Sequence, residues 1–173
     1  MQTIKLNYVK YFVLVFCLFF IEAKSETKIS KNPSQLNFYV GVFDFSDDKQ
    51  KAGLVGIQHQ NENLQRDTFL GNLSPITGGF ITENSAIYVY SGVEWNFDLG
   101  EINFTPSFAP GLYEQGDGKD LGHTLEFKTE VQLSYSISKD TSFGMSYNHI
   151  SNASLGNKNP GANSYEINFL KNF

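Results

Sequence analysis

Three polar residues near the end of the chain form a combination that is able to cleave an ester. His149 and Ser151 lie two positions apart, and Asn163 follows after a polar stretch rich in turn-forming residues. An ester hydrolase needs a hydroxyl nucleophile, a base that takes its proton and a group that orients the base. The residue types therefore predict Ser151 as the nucleophile, His149 as the base and Asn163 as the orienting group.

The same stretch holds candidates for an oxyanion hole, which needs fixed N–H donors beside the nucleophile. Asn152 and the backbone amides around Ala153 and Ser154 directly follow the predicted nucleophile. The alternative interpretation is that His149 is an interfacial polar residue and Ser151 a turn residue. An isolated His-x-Ser triplet favours that alternative, because such triplets are common by chance.

The elements that carry these residues alternate between apolar and polar side chains, as β-strands do. Between Leu125 and Ile137 every second residue is apolar or threonine, and the residues between them are polar or charged. This pattern is longer than a usual globular strand of about 5–6 residues. Eight strands are predicted, at about 36–45, 52–60, 73–82, 86–98, 101–113, 124–138, 141–152 and 163–173. The stretch from Asn61 to Asn72 shows no clear period, so the second and third strands have the least certain bounds.

Long alternating strands fit two architectures. A soluble barrel or sandwich hides its apolar side chains, whereas a membrane barrel turns them toward lipid and closes its backbone edges. The last strand alternates through Tyr165, Ile167 and Phe169 and ends on Phe173. This ending resembles the assembly signal of bacterial outer-membrane barrels. We therefore expect an all-β fold, an eight-stranded antiparallel transmembrane β-barrel of the bacterial outer membrane.

The start of the chain has the features of a secretory signal peptide. Lys5 and Lys10 supply positive charge, Tyr11–Ile21 is apolar, and Ala23-Lys24-Ser25 resembles a cleavage site. The apolar run is short of the ~20 residues that span a bilayer. Residues 1–25 are therefore predicted to be removed and residues 26–173 to form a single barrel domain. The alternative is a retained N-terminal anchor.

Charge and cysteine content exclude several classes of function. The chain has 13 basic and 18 acidic side chains, and losing three lysines and one glutamate with residues 1–25 leaves a net charge of −7. A protein with this negative net charge is expected to bind nucleic acid poorly. Cys17, the one cysteine, is lost with the signal, so no disulfide or thiolate site is expected. Asp44, Asp47 and Asp48 match no calcium-loop pattern and are predicted to be a solvated strand end and loop, and neither a metal nor a cofactor is expected.

Strand parity predicts which way the candidate residues point. Eight strands leave both termini on the periplasmic side, so the 153–162 connection lies toward the outer leaflet. His149 and Ser151 share the lipid-facing parity with Phe143, Met145 and Tyr147. Asn163 also points outward, whereas the parity of Glu166 turns it toward the lumen.

Several sequence pieces carry a resemblance to a known family. They are Ala109-Pro110-Gly111-Leu112-Tyr113, Leu121-Gly122-His123 with Leu125-Glu126-Phe127, and His149-Ile150-Ser151-Asn152-Ala153 with Asn159-Pro160-Gly161. From about Phe104 onward the chain resembles the outer-membrane lipid A 3-O-deacylase family, also called acyloxyacyl hydrolase-like. The resemblance implies an eight-stranded barrel with an outward-facing Ser-His-acid triad that removes the ester-linked 3-acyl chain of lipid A. By that resemblance His149 is the base and Ser151 the nucleophile.

One departure from the family pattern affects the expected activity. The family places a Glu fourteen positions after the His, and that position is Asn163 here. An Asn orients an imidazole but adds no charge to stabilise the imidazolium. A loop acid remains an alternative third member, with Glu114, Asp117 and Asp120 as the candidates.

The resemblance also sets the expected partners and the competing functions. Lipid A or lipopolysaccharide is the expected substrate, with an acyl chain lying against Phe143, Met145 and Tyr147. Outer-membrane lipid is expected to surround the barrel, and a homodimer is left open. A catalytically idle barrel that binds lipopolysaccharide or supports the envelope is the main alternative function. A small pore is a weaker one, because side chains fill the interior of an eight-stranded barrel.

Overall fold

The computed structural model describes residues 34–68 and 71–173, and the predicted signal peptide lies outside them. Nine strands occupy these ranges: β1 (Gln35–Phe43), β2 (Ala52–Gln60), β3 (Arg66–Thr68), β4 (Gly71–Thr82), β5 (Ile87–Asp98), β6 (Ile102–Glu114), β7 (Leu125–Ser138), β8 (Thr141–Ser151) and β9 (Ala162–Asn172). One 3₁₀ turn, Glu62–Leu64, lies between β2 and β3. Within the described ranges no helix has the length and apolar character needed to cross a membrane.

The eight long strands close into an antiparallel barrel. β1 pairs with β2 on one side and with β9 on the other, and β2 pairs with β4. The remaining long strands follow in chain order from β4 to β9. The predicted eight-stranded antiparallel fold is therefore confirmed. The short β3, which pairs with the start of β4, is an addition from the stretch that shows no period in the sequence.

Apolar side chains cover the outside of this barrel and polar ones line its inside. The large exposed residues on the strands include Phe38, Val40, Val89, Leu133, Met145, Ile167 and Phe169. The buried residues include many polar side chains, such as Asn37, Gln58, Ser107, Gln132, Asn148 and Asn168. A soluble barrel has the opposite distribution, so the structure decides for the membrane architecture.

A buried charge cluster fills the middle of the lumen. The Lys128 ammonium lies 2.9 Å from Glu130 and 4.5 Å from the centre of the Tyr90 ring. Glu166, also buried, accepts a hydrogen bond of 2.7 Å from the side chain of Asn148. Asn148 also donates to Glu130 across 3.4 Å, so these contacts connect the inner faces of β7, β8 and β9, and the strands that carry the candidate site rest on a filled interior.

Four connections gather at one end of the barrel and contact one another. They are residues 44–51, 83–86, 115–124 and 152–161. Lys158 and Asp120 form an ion pair of 2.6 Å between the last two connections. The Asp117 amide donates to Asn84 across 2.9 Å. This end is the one that strand order assigns to the outside of the cell, and it carries the candidate catalytic and oxyanion-hole residues.

Candidate active site

His149 and Asn163 face each other directly across the β8–β9 pair. The antiparallel register places His149 opposite Asn163 and Tyr147 opposite Tyr165, all on the outer surface. Opposed residues of this kind have Cβ atoms about 4.5–5.5 Å apart. The Oδ1 atom of Asn163 lies 2.8 Å from Nδ1 of His149. The structure thus brings together two residues of the predicted triad, on the face that strand parity predicts.

This contact determines which imidazole nitrogen is able to act as a base. An amide oxygen only accepts hydrogen bonds, so Nδ1 of His149 carries the proton and donates it to Asn163. Nε2 is then left with a free lone pair. The ring rests against Gly161, where an added Cβ would lie 2.8 Å from Cε1 and 3.3 Å from Nε2. The imidazole is therefore oriented from two sides.

Ser151 lies on the same face as His149, two residues farther toward the outside, and is half-buried. The strand rise places the two backbones about 6–7 Å apart. Within residues 34–68 and 71–173 no hydrogen bond joins Ser151 Oγ to His149. Catalytic hydrogen bonds of this kind often form only once the substrate is bound. The arrangement therefore leaves the imidazole of His149 and the hydroxyl of Ser151 on one outer surface of β8.

Behind Asn163 a second layer of polar groups leads to a carboxylate. Asn163 Nδ2 donates to Ser46 Oγ across 3.1 Å, and Ser46 Oγ donates to Asp44 Oδ1 across 3.2 Å. The Asp44 carboxylate forms an ion pair with Lys119 of the 115–124 connection. Asp44 also takes the left-handed conformation, φ 50°, which turns the chain at the end of β1 and brings Ser46 over Asn163.

The burial of Asp44 corrects the sequence prediction of a solvated acidic loop. Asp44 is 1% exposed, so the prediction is wrong for this residue. It holds for Asp48, which is exposed and pairs with Lys51 across 2.8 Å. In that exposed pair the hydrogen bond from Lys51 lowers the pKa of Asp48. The difference arises because Lys119, distant in the sequence, covers Asp44 but not Asp48.

Tyr147, predicted to line the acyl chain, also belongs to the polar network. Its hydroxyl donates to Asn163 Oδ1 across 2.8 Å, so this oxygen accepts from two donors. Its ring packs against Phe45 and Tyr165, with centroids 6.3 and 5.3 Å away. The other two predicted lining residues stand on the open outer surface, with Phe143 47% and Met145 65% exposed.

Comparison with known proteins identifies the family. A family model described as "Lipid A 3-O-deacylase (PagL)" matches residues 36–172, which is most of the chain. The chain belongs to the PagL family. No curated protein sequence matches it as a relative.

Solved structures agree with the PagL-family fold. The crystal structure of the outer membrane enzyme PagL has a TM-score of 0.61 at 17% identity, covering 80% of this chain and 99% of PagL. Neisserial surface protein A has a TM-score of 0.55 at 10% identity, covering 83% of this chain and 98% of that protein. A de novo designed transmembrane β-barrel has a TM-score of 0.52 at 12% identity, covering 82% of this chain and 97% of the design. At these identities the likeness concerns the fold, and together with the family it confirms the prediction of an outer-membrane β-barrel.

In this PagL-family chain the loop after Ser151 divides the predicted oxyanion donors into two groups. Asn152 is fully buried, and its amide donates to Asn159 Oδ1 across 3.0 Å. Its side-chain NH₂ donates to the carbonyls of Leu121 and Lys158, across 2.8 and 2.9 Å. All three N–H groups of Asn152 are thus engaged, so the expectation that Asn152 donates to an oxyanion does not fit this arrangement.

Ala153 and Ser154 differ from Asn152. Both are exposed, and both adopt left-handed backbone conformations, with φ of 51° and 63°. Within the part of the chain that the structure describes, neither amide donates to another backbone group. Non-glycine residues in this region cost of order 1–3 kcal/mol each and cluster at functional sites. Their N–H groups remain available beside Ser151.

The loop acids that were alternatives for the third member of the triad do not contact His149 in the described structure. Among the described residues none of Glu114, Asp117 and Asp120 has a hydrogen bond or ion pair with His149. Asp120 is paired with Lys158, and the hydrogen bond from Lys158 lowers the pKa of this carboxyl. Asp120 thereby connects two external loops, and the amide of Asp117 connects a third. Within the described ranges no group of His, Cys, Asp or Glu side chains is placed to hold a metal ion.

The structure adds four residues to those predicted, and the sequence held a signal for two of them. Asn159 and Gly161 lie in the Asn-Pro-Gly motif, where one holds the Asn152 amide and the other supports the His149 ring. Ser46 carried no signal and Asp44 was predicted to be solvated, because their link to Asn163 depends on how β1 pairs with β9.

Proposed function

We propose that this protein is a serine esterase that hydrolyses the ester-linked 3-O-acyl chain of lipid A in the outer leaflet. One observation carries the proposal. His149 donates from Nδ1 to Asn163 Oδ1 on the lipid-facing surface, beside an outward-facing Ser151. Membership of a lipid A 3-O-deacylase family supplies the substrate class and the bond.

The chemistry follows from the positions of these groups. Ser151 Oγ attacks the ester carbonyl carbon while His149 Nε2 takes the hydroxyl proton. The amides of Ala153 and Ser154 stabilise the negative oxygen of the tetrahedral intermediate. The imidazolium then gives its proton to the departing sugar oxygen, and an acyl-serine remains. Water, deprotonated by the same nitrogen, cleaves this acyl-serine to free fatty acid and restores Ser151.

The outer surface of β8 provides a path for the acyl chain. Tyr147, Met145 and Phe143 follow His149 on the same face toward the bilayer centre. Six residues of strand span about 20 Å, a length that matches an extended acyl chain. The fatty acid therefore lies along these three side chains, with its ester at the level of His149 and its sugar at the external loops.

The neutral third residue favours a second candidate, a catalytically idle barrel that binds lipopolysaccharide. Asn163 orients the imidazole without charge, and loss of the charged third member lowers turnover about ten-thousand-fold in one serine protease. An idle barrel would keep its whole cellular effect without Ser151 and His149. An esterase would lose that effect in both alanine variants.

Mass spectrometry of lipid A from cells with and without the protein tests the proposal. We expect lipid A lacking the 3-O-acyl chain only in cells that produce the wild-type protein. Ser151→Ala and His149→Ala, produced at equal folded levels, should leave lipid A fully acylated. Unchanged acylation in the presence of abundant, folded wild-type protein would contradict the esterase proposal.

A further inference from the structure

We propose that Asp44 is a positioning residue that supplies, through Ser46 and Asn163, the negative charge that the third position lacks. The inference rests on the esterase proposal, because it assigns a role in stabilising the imidazolium of His149. Four side chains from three separate segments form one chain of hydrogen bonds, from His149 on β8 through Asn163 on β9 to the β1–β2 turn.

Every hydrogen bond in this chain points the same way. His149 Nδ1–H donates to Asn163 Oδ1 across 2.8 Å, and Asn163 Nδ2–H donates to Ser46 Oγ across 3.1 Å. Ser46 O–H donates to Asp44 Oδ1 across 3.2 Å. The carboxylate accepts at the end, so its charge polarises each donor in turn, and consecutive hydrogen bonds strengthen one another. A proton gained by His149 is therefore stabilised by a charge three hydrogen bonds away.

The surroundings of Asp44 suit this role better than a solvated position would. The side chain is buried, where water screens its charge less than at an open surface. Its Oδ1 also accepts from the Asn163 amide, across 3.4 Å, so the carboxylate contacts both the backbone and the side-chain network of that residue. Phe45, between Asp44 and Ser46, packs on Tyr165 at 4.4 Å and fixes the turn against β9.

Several other ionisable groups surround Asp44 and His149 and belong to any interpretation of the pH dependence of catalysis. On the far side of Asp44 lie Lys119 and, 3.8 Å from that ammonium, Asp47. Tyr147 reaches the same oxygen of Asn163 as His149 does. On β7 the residue opposite His149 is Thr129, and the buried Lys128 faces the lumen. Of these groups, Asp44 is the one whose carboxylate ends the hydrogen-bond chain from His149.

A purely structural role for Asp44 is the competing explanation, and it predicts a different result. The Asp44–Lys119 ion pair connects the 44–51 and 115–124 loops. If anchoring were its whole function, removing either partner would have the same effect. If Asp44 acts through charge, the two substitutions act in opposite directions. Asp44→Asn removes the negative charge at the end of the hydrogen-bond chain, whereas Lys119→Met removes the cation that offsets this charge.

The experiment measures the pH dependence of kcat/KM for lipid A deacylation by the full-length protein in detergent micelles. Asp44→Asn should move the acid limb to lower pH by about half a unit and lower the plateau about fourfold, as one partly screened charge would. Asn tolerates the left-handed conformation and keeps an acceptor for Ser46. Lys119→Met should move the limb to higher pH. Ser46→Ala should shift it as Asp44→Asn does, and Asp48→Asn, in the same turn, should leave it in place.

NMR titration of the His149 imidazole in the same variants gives a readout that requires no activity. The midpoint should move down in Asp44→Asn and up in Lys119→Met. Equal shifts in one direction, or no shift in Asp44→Asn, would overturn the role of Asp44 even where the wild-type protein is active. Opposite shifts in a folded but inactive wild-type protein would support the charge link while the esterase proposal fails.

Discussion

The carboxamide of Asn163 lies opposite the imidazole of His149 on the outer surface of the barrel, with Oδ1 2.8 Å from Nδ1. Two strands in fixed register hold this contact, and their other faces pack into a filled, polar lumen. The contact leaves Nε2 free as a base and supplies orientation without charge. The catalytic competence of the protein therefore depends on how well a neutral residue orients the imidazole.

Substitutions of Asn163 should therefore change the rate in two directions. Asn163→Ala removes the acceptor, frees the ring to rotate and should lower kcat/KM by up to about 10⁴-fold, the loss seen when the third member of one serine-protease triad is replaced. Asn163→Glu restores a carboxylate and should raise kcat/KM above wild type. Steady-state deacylation assays at equal folded concentration measure both.

Asn157→Ala is a matched control for these variants, since Asn157 is exposed in the loop between β8 and β9. It should behave as wild type. An Asn163→Ala variant that retained wild-type kcat/KM would show that orientation by Asn163 plays no part in the reaction.

Gly161 should be required for activity because it leaves space for the His149 ring, and not only because it adopts a positive φ. An added Cβ would lie 2.8 Å from Cε1 of His149, so Gly161→Ala should displace the ring and reduce kcat strongly. Gly100→Ala is the control, because Gly100 also has a positive φ, 93°, but nothing lies within 4 Å of an added Cβ.

Both glycine substitutions carry a left-handed backbone penalty of about 1–2 kcal/mol, so the unfolding midpoints of both variants should fall below that of wild type. Only Gly161→Ala should also lose activity. Equal activity in the two variants would contradict the claim that the His149 ring lies against Gly161 during catalysis.

Removing the lumen cation should destabilise the barrel. Lys128→Met leaves Glu130 buried beside Glu94 and Glu166 without its partner, which typically costs about 3–5 kcal/mol. Lys139→Met, in an exposed turn, should have little effect. Guanidinium unfolding in detergent measures both, and a stability of Lys128→Met equal to that of Lys139→Met would contradict the importance of the buried pair.

The sequence was sufficient for the barrel and for the face that carries the site. Alternation predicts strand faces because side chains point to opposite sides at each step. Parity places His149, Ser151 and Asn163 outward, and Glu166 inward, where its oxygens meet Ser146 and Asn148. Strand β3 was not predicted, because its three polar residues show no apolar–polar alternation.

Side-chain contacts across the loops were harder to predict, for physical reasons that differ between residues. The pairing of His149 with Asn163 depends on strand register, which the ten-residue 152–161 connection leaves undefined. Asn152 shares the inward parity of Asn148 and Ile150, so parity alone argues against its expected oxyanion role. The burial of Asp44 depends on Lys119, which lies 75 positions away in the chain.

Acyl release from lipid A by the purified, folded barrel tests the central claim most directly. Mass spectrometry before and after incubation in detergent follows wild type and Ser151→Ala side by side. We predict that wild type removes one acyl chain, at the 3 position, and that Ser151→Ala does so at least about 10³-fold more slowly. Release at equal rates by both proteins, or none by folded wild type, would contradict Ser151 as the nucleophile of a lipid A esterase.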